Sequence, residues 1–229
     1  MPMIMTPEQN DWFGRMRADW LRVMRPFAGY GVGQLFPALP TLPANRLEGC
    51  VLLPHREEIL RRLPKGGVCA EVGTQEGLFA EKILDIVRPA RLHLFDIDDA
   101  PLRARDTNLL AREEVELHLG DSSTLLGGFP DDHFDWIYID GDHSYDGASR
   151  DARVARTKVK PGGLLIFNDF TLWSPAECMD YGVPHAVCEL SVTHDFRFVY
   201  FALHPHLYND VALRRPLPDE AAPPPAETP

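Results

Sequence analysis

Short, unbroken apolar runs alternate with longer amphipathic stretches through the middle of the chain. That alternation predicts parallel strands buried on both faces with helices between them. The runs are Val68–Val72, Leu92–Phe95, Val115–Leu119, Phe134–Ile139 and Leu164–Phe167. Helical spacing occupies residues 76–87, 100–112 and 146–159, and a short helix follows residue 121. Farther on, Arg197–Leu203 and Val211–Arg214 read as two strands joined by a hairpin, which requires antiparallel pairing.

The ends of the chain read differently. Over residues 7–25, Trp12, Phe13, Met16, Trp20, Val23 and Met24 recur at steps of three and four, one helical stripe with Thr6 as N-cap, Pro7 in the first turn and Pro26 as a stop. Core packing is the default expectation for this stripe; a pocket lining or a homodimer contact are the alternatives. From Pro26 to Pro54, prolines and glycines exclude a long regular element, yet Leu35, Phe36, Leu39, Leu42 and Leu47 are too apolar for a free linker. A lid or pocket wall is expected, followed by a short helix over 55–63. The tail from Pro216 holds Pro223–Pro225 without apolar periodicity and is expected to be disordered. The chain therefore divides into an N-terminal helix and cover (1–63), an α/β domain (64–215) and a tail (216–229).

Charge narrows the class of partner. With 23 basic and 34 acidic side chains the net charge is -11, which disfavours nucleic acid and leaves a small-molecule substrate. Arg56, Arg61 and Arg62 read as a solvated helix face. No apolar run nears the ~20 residues that span a bilayer, Glu8 and Asp11 sit where a signal peptide would be basic and apolar, and the four cysteines form no C-x-x-C pair. A cytoplasmic location without a membrane partner is the expectation.

The candidate chemistry starts at Glu71-x-Gly73-x-x-x-Gly77, at the end of the first buried run. A dinucleotide turn places glycine where Glu71 stands, because a carboxylate there repels pyrophosphate. The same carboxylate suits a ligand carrying an ammonium and a sulfonium, such as S-adenosylmethionine. The glycines allow close backbone approach, and Asp96 at the end of the second run can accept ribose hydroxyls. Asp121 or Ser122 can meet an adenine edge or cap the following helix.

These motifs, with Asp140 after the fourth run, Pro161-Gly162-Gly163 before the fifth and the terminal hairpin, resemble the class I S-adenosylmethionine-dependent methyltransferases from about residue 64 to 215. Ile139–Tyr145 and Leu165–Phe170 are similar to a subgroup of small-molecule O-methyltransferases, macrocin-type and, more distantly, catechol-type. The resemblance implies a Rossmann-like seven-stranded sheet of order 3-2-1-4-5-7-6, mostly parallel with strand 7 antiparallel, helices on both faces and an N-terminal helical extension. It implies a cofactor set of Glu71, Gly73, Thr74, Gln75, Gly77, Asp96, Ile97, Asp121, Ser122 and Asp140. The resemblance also implies a hydroxyl on a small metabolite as the acceptor.

Asp140, Asn168 and Asp169 fall at the carboxyl ends of adjacent strands, and such oxygen donors suit Mg²⁺. In relatives of both types the corresponding positions bind such a metal, although Asn168-Asp169 reverses the catechol-type order. A hydrogen-bonded polar rim is the alternative. His143, three residues after Asp140, is the candidate general base, with Asp140 beside it and Asp142 to orient it; its alternative is a helix cap near Tyr145. His93 and His118 read as structural, and Trp173 and Tyr181 as pocket walls. The competing functions are a nicotinamide-dependent oxidoreductase and a catalytically idle binding protein.

Overall fold

The computed structural model describes residues 5–25 and 38–220, and the chain falls into two compact units, Met1–Ala38 and Leu39–Pro229. The first contains helix α1 (Pro7–Met24), opened by a capping box in which Thr6 Oγ1 accepts from the Gln9 amide and Gln9 Oε1 accepts from the Thr6 amide. Its stripe is not core: Trp12, Phe13, Met16, Trp20 and Val23 are all exposed. The sequence shows the period of the stripe but not what covers it. Pro26 and much of the expected lid, residues 26–37, lie outside the described residues.

The second unit is built on an eight-stranded sheet. Its strands are β1 (Val51–Leu53), β2 (Val68–Val72), β3 (Arg91–Asp96), β4 (Val115–Leu119), β5 (Phe134–Ile139), β6 (Val159–Phe167), β9 (Arg197–Ala202) and β10 (Asp210–Arg214). A separate two-stranded ribbon pairs β7 (Trp173–Ser174) with β8 (Met179–Asp180). The order is β1-β9-β10-β6-β5-β2-β3-β4, and only β10 runs antiparallel to its neighbours. Seven of these strands reproduce the expected order and direction. The eighth, β1, pairs in parallel with β9, so residues 39–63 belong with the sheet rather than with a separate cover.

Helices α2 (Glu57–Leu60), α3 (Leu78–Ile86) and α4 (Ala100–Arg103) connect the strands, together with α5 (Ser122–Gly127), α6 (Tyr145–Lys158) and α7 (Val183–His194). Alternate residues of each strand feed two cores. Ala70, Val72, Ile137 and Phe167 pack with Leu126, Ala148, Ala152 and Val187 on one face; Cys69, Leu92, Leu94, Trp136 and Ile166 pack with Ile59, Phe79 and Ile83 on the other. The helix expected over 100–112 stops at Arg103. Thr107 Oγ1 accepts from the Leu109 amide and donates to Glu81, diverting the backbone into a single 3₁₀ turn over Leu109–Ala111. The expected tail falls mainly on residues 221–229, outside the described residues; at 220 Glu220 still pairs with Arg214. Among the described residues no helix is long and apolar enough to cross a membrane.

Candidate functional site

The carboxyl ends of β2, β3, β5 and β6 open into a cleft of about 700 Å³. Gly73 makes the floor possible. It sits at φ +83°, donates its N–H to the Phe95 carbonyl at 2.8 Å, and lies so close to β5 that a Cβ would stand 1.9 Å from the Asp140 carbonyl oxygen. Gly77, at φ +74°, opens α3 and packs against Leu109 and Leu102. It does not border the cleft, and neither does the buried Thr74; their part is to shape the turn.

Asp96 is held by two backbone donors: Gln75 N–H reaches Oδ2 at 2.7 Å and Asp98 N–H reaches Oδ1 at 3.1 Å. It faces the cleft beside Ile97, which is 82% exposed on the rim. Asp121 caps α5, accepting from Ser123 Oγ and from the Thr124 amide and hydroxyl, and these donors hold its carboxyl down at about 2. It still lines the cleft, so capping and ligand contact are compatible there. Ser122 donates to the buried Asp151 at 2.6 Å.

Beneath this floor Glu71 is 1% exposed and its Oε2 has no hydrogen-bond partner. Burial, reinforced by the charge of Asp140, pushes its carboxyl well above the ordinary range. The cleft itself is lined by seven carboxylates, Asp96, Asp121, Asp140, Asp142, Asp151, Asp169 and Glu177, against one arginine, Arg150, and one histidine. A pyrophosphate would meet net repulsion there; a sulfonium and an ammonium would relieve it. The anionic walls fit S-adenosylmethionine, Asp96 fits its ribose, and a bound cation would draw the Glu71 carboxyl back toward its ionised form.

His143 stands at the other end of the cleft. Its Nε2 is 3.3 Å from Asp140 Oδ1 and 3.5 Å from Asp169 Oδ2, and its ring stacks on Tyr181 at 4.6 Å between centroids. Its carbonyl accepts the Gly182 N–H at 2.8 Å, so the start of α7 clamps its backbone. Burial alone would lower the imidazole pKa, but the hydrogen bond to Asp140 and the charges of Asp140, Asp169 and Glu177 outweigh it and raise it. Asp169, at φ +58°, is pushed up to about 6 by burial and then by Asp140, whose own carboxyl burial also raises. Capping of α6 falls to Ser144, whose Oγ accepts from Gly147 N–H. Asp142 accepts from the Ser144 amide and faces Arg150, so Asp140 and Asp169, not Asp142, orient His143. Tyr181 is a wall as expected, while Trp173 is in the β7–β8 ribbon and does not border the cleft.

Two expectations change. Asn168 is 6% exposed, donates Nδ2 to Asp210 at 3.1 Å and does not line the cleft. Of the three expected metal ligands, Asp140 and Asp169 therefore face the cleft, and an imidazole nitrogen occupies the space between them. That donor set suits a hard oxygen-seeking dication poorly while the ring stays in place. Arg56, expected in solvent, instead lies 4.3 Å over the Phe79 ring, reaches Tyr138 Oη at 3.4 Å, and is the counter-charge felt by Glu71, Asp140, Asp169 and Asp210. The readable signal is its spacing of three and four from the buried Ile59 and Leu60, which puts it on the inward face of α2. Arg61 and Arg62 are solvated and pair with Glu58.

Asp210 completes the layer below. It is fully buried, accepts from Tyr138 Oη at 2.5 Å and from Asn168, and burial pushes it up to about 7. Since its folded value exceeds the unfolded one, its stabilising contribution is complete below the ordinary Asp range and lost as pH rises through about 7. Between pH 5 and 8 the Asp210→Asn variant should lose about 2–3 kcal/mol less stability than the wild type, read from urea unfolding at the two pH values.

Residues 70–170 match a family described as a methyltransferase domain. A comparison with curated proteins returns no match. Among solved structures, the pyocyanin biosynthetic protein PhzM superposes with TM-score 0.52 at 22% identity over 69% of this chain, which spans 53% of that protein. A SAM-dependent methyltransferase from Aquifex aeolicus gives 0.51 at 15% identity, covering 69% of this chain and 88% of its own. The N-methyltransferase NodS from Bradyrhizobium japonicum gives 0.51 at 17% identity, covering 70% and 94%. At these identities the superpositions speak for the Rossmann-like methyltransferase fold alone.

Proposed function

We infer that this chain is an S-adenosylmethionine-dependent methyltransferase, a reading supported by the methyltransferase-domain match over residues 70–170, and that it methylates a hydroxyl of a small molecule with His143 as general base. One observation carries this reading: a single imidazole, stacked on Tyr181 inside the cleft, has Nε2 within 3.5 Å of two carboxylates. Alcohols and phenols need a base, and an imidazole whose protonated form is stabilised by Asp140 and Asp169 can take that proton. When bound, S-adenosylmethionine supplies a methyl carbon activated by positive sulfur. Gly73, Gln75, Asp96, Ile97, Asp121 and Ser122, which line the cleft, would hold it.

A divalent cation is the second reading, favoured by two carboxylates, Asp140 and Asp169, that both lie within 3.5 Å of the same imidazole nitrogen. Asp140 and Asp169 would hold Mg²⁺, with the ring displaced, and the ion would polarise the acceptor oxygen. Activity undiminished in excess EDTA supports the base alone, whereas activity that EDTA abolishes and Mg²⁺ restores supports the metal. The four free cysteines accord with a reducing cytoplasm, and the apolar stripe of α1 offers a homodimer surface.

Asp96→Ala should weaken cofactor binding by about 10- to 100-fold, the loss of charge-assisted hydrogen bonds to ribose, as measured by calorimetry. For the reaction itself, methyl-labelled S-adenosylmethionine is incubated with a panel of hydroxylated and aminated small molecules. Label recovered as O-methyl ethers supports the proposal; label on nitrogen only contradicts it.

A further inference from the structure

Away from the cleft, on one face of β3 and the edge strand β4, three side chains with metal-binding atoms converge. His93 and Glu116 are register partners and His118 is two residues further along β4. His93 Nδ1 lies 2.9 Å from His118 Nε2 and 3.7 Å from Glu116 Oε2, and His118 Nε2 lies 3.8 Å from Glu116 Oε1. Ligands about 2.0–2.2 Å from a tetrahedral ion are separated by about 3.3–3.6 Å, and the nitrogen pair at 2.9 Å, with one carboxylate oxygen 3.7 Å from His93 and the other 3.8 Å from His118, lies near that spacing. All three donor atoms lie within 4.8 Å of one another.

The rings are held in place before any ion arrives. His118 stacks on Phe95 at 4.7 Å, and Phe129 meets His93 and His118 edge-on at 5.0 and 5.5 Å. His93 is 6% exposed, whereas the Glu116 side chain is half exposed, which leaves the fourth position to water on the solvent side. His93 Nδ1 and His118 Nε2 share a hydrogen bond at 2.9 Å, so the shared proton must leave as an ion takes its place between the rings. Two imidazoles and one carboxylate select a borderline divalent ion such as Zn²⁺ over Mg²⁺ or Ca²⁺.

We propose that His93, Glu116 and His118 form a binding site for one Zn²⁺-like divalent cation, clipping the edge strand β4 to β3. His118 is three residues before Asp121, so the clip steadies the corner of the sheet that presents Asp121 and Ser122 to the cleft. The site is independent of the methyl-transfer reading, because it shares no residue with the cleft.

The test titrates the chelator-stripped full chain with Co²⁺ and then Zn²⁺, following visible absorption and thermal midpoint. The expected result is one equivalent of Co²⁺ with tetrahedral absorption, displaced by Zn²⁺, and a higher midpoint in its presence. Glu116→Gln, at an exposed position, should keep the fold and weaken binding; His118→Gln should lower affinity roughly 100-fold or more, and His118→Cys should restore it. Absence of stoichiometric binding overturns the proposal and leaves a hydrogen-bonded histidine pair. Equal binding by wild type, Glu116→Gln and His118→Gln also overturns it, since the ion then sits elsewhere.

Discussion

His143→Ala should lower kcat for methyl transfer by about 10²- to 10⁴-fold, the usual contribution of a positioned base, while the dissociation constant for S-adenosylhomocysteine stays nearly unchanged. The contrast follows from location: His143 is gripped by Asp140, Asp169 and Tyr181 at one end of the cleft, and Asp96 lies with Ile97 at the other. The pH profile carries the same signature. The base works only when neutral, and the flanking carboxylates raise its pKa, so in EDTA-containing buffer kcat should climb with pH through a midpoint above the ordinary imidazole value. Asp169→Asn removes one of those charges and should move the midpoint down. A His143→Ala enzyme with unchanged kcat, or a midpoint indifferent to Asp169, would remove the base from the account.

The second large effect is expected at Gly73. An alanine there takes a left-handed conformation at about 1–2 kcal/mol, and its Cβ would also fall 1.9 Å from the backbone carbonyl of Asp140, which has no flexible end to move aside. Overpacking of this kind adds about 1–3 kcal/mol, so Gly73→Ala should lower the melting temperature on the order of 10 °C and abolish measurable cofactor binding. Gly66 is the control, at φ +72° with open space around it. Gly66→Ala meets only the conformational cost and should bind cofactor normally. Equal behaviour of the two variants would show that the contact between β2 and β5 does not build the cleft.

Much of this was legible because the relevant signals are local. Apolar runs mark the central strands, the Glu71–Gly77 turn marks where β2 meets the cleft, and carboxylates at strand ends mark its walls. What escaped depends on tertiary neighbours. Strand β1 has three residues before a proline, too few for a period, and exists because β9 offers an edge. Helix α7 opens on Gly182 and Pro184, which read as a turn, although Val183, Val187 and Leu190 keep a helical stripe. Its N-cap, Gly182, supplies the clamp on His143, so part of the base's positioning was out of view.

The side chains escaped for similar reasons. Asn168 and Asp169 are neighbours in sequence, yet the pleat and the left-handed Asp169 send one to Asp210 below and the other into the cleft. Arg56 and Arg61 look alike in a charge count, and only the inward face of α2 distinguishes the half-buried counter-ion from the solvated one. The stripe of α1 shows the converse: a strong apolar period does not guarantee burial.

The anionic cleft makes one demand above all, a cationic nucleoside donor in place of a pyrophosphate. Calorimetric titration of the full chain with S-adenosylmethionine, and with NAD in parallel, addresses it directly. A single saturable site for S-adenosylmethionine and no heat from NAD is the predicted result; NAD saturating a protein that ignores S-adenosylmethionine would contradict it.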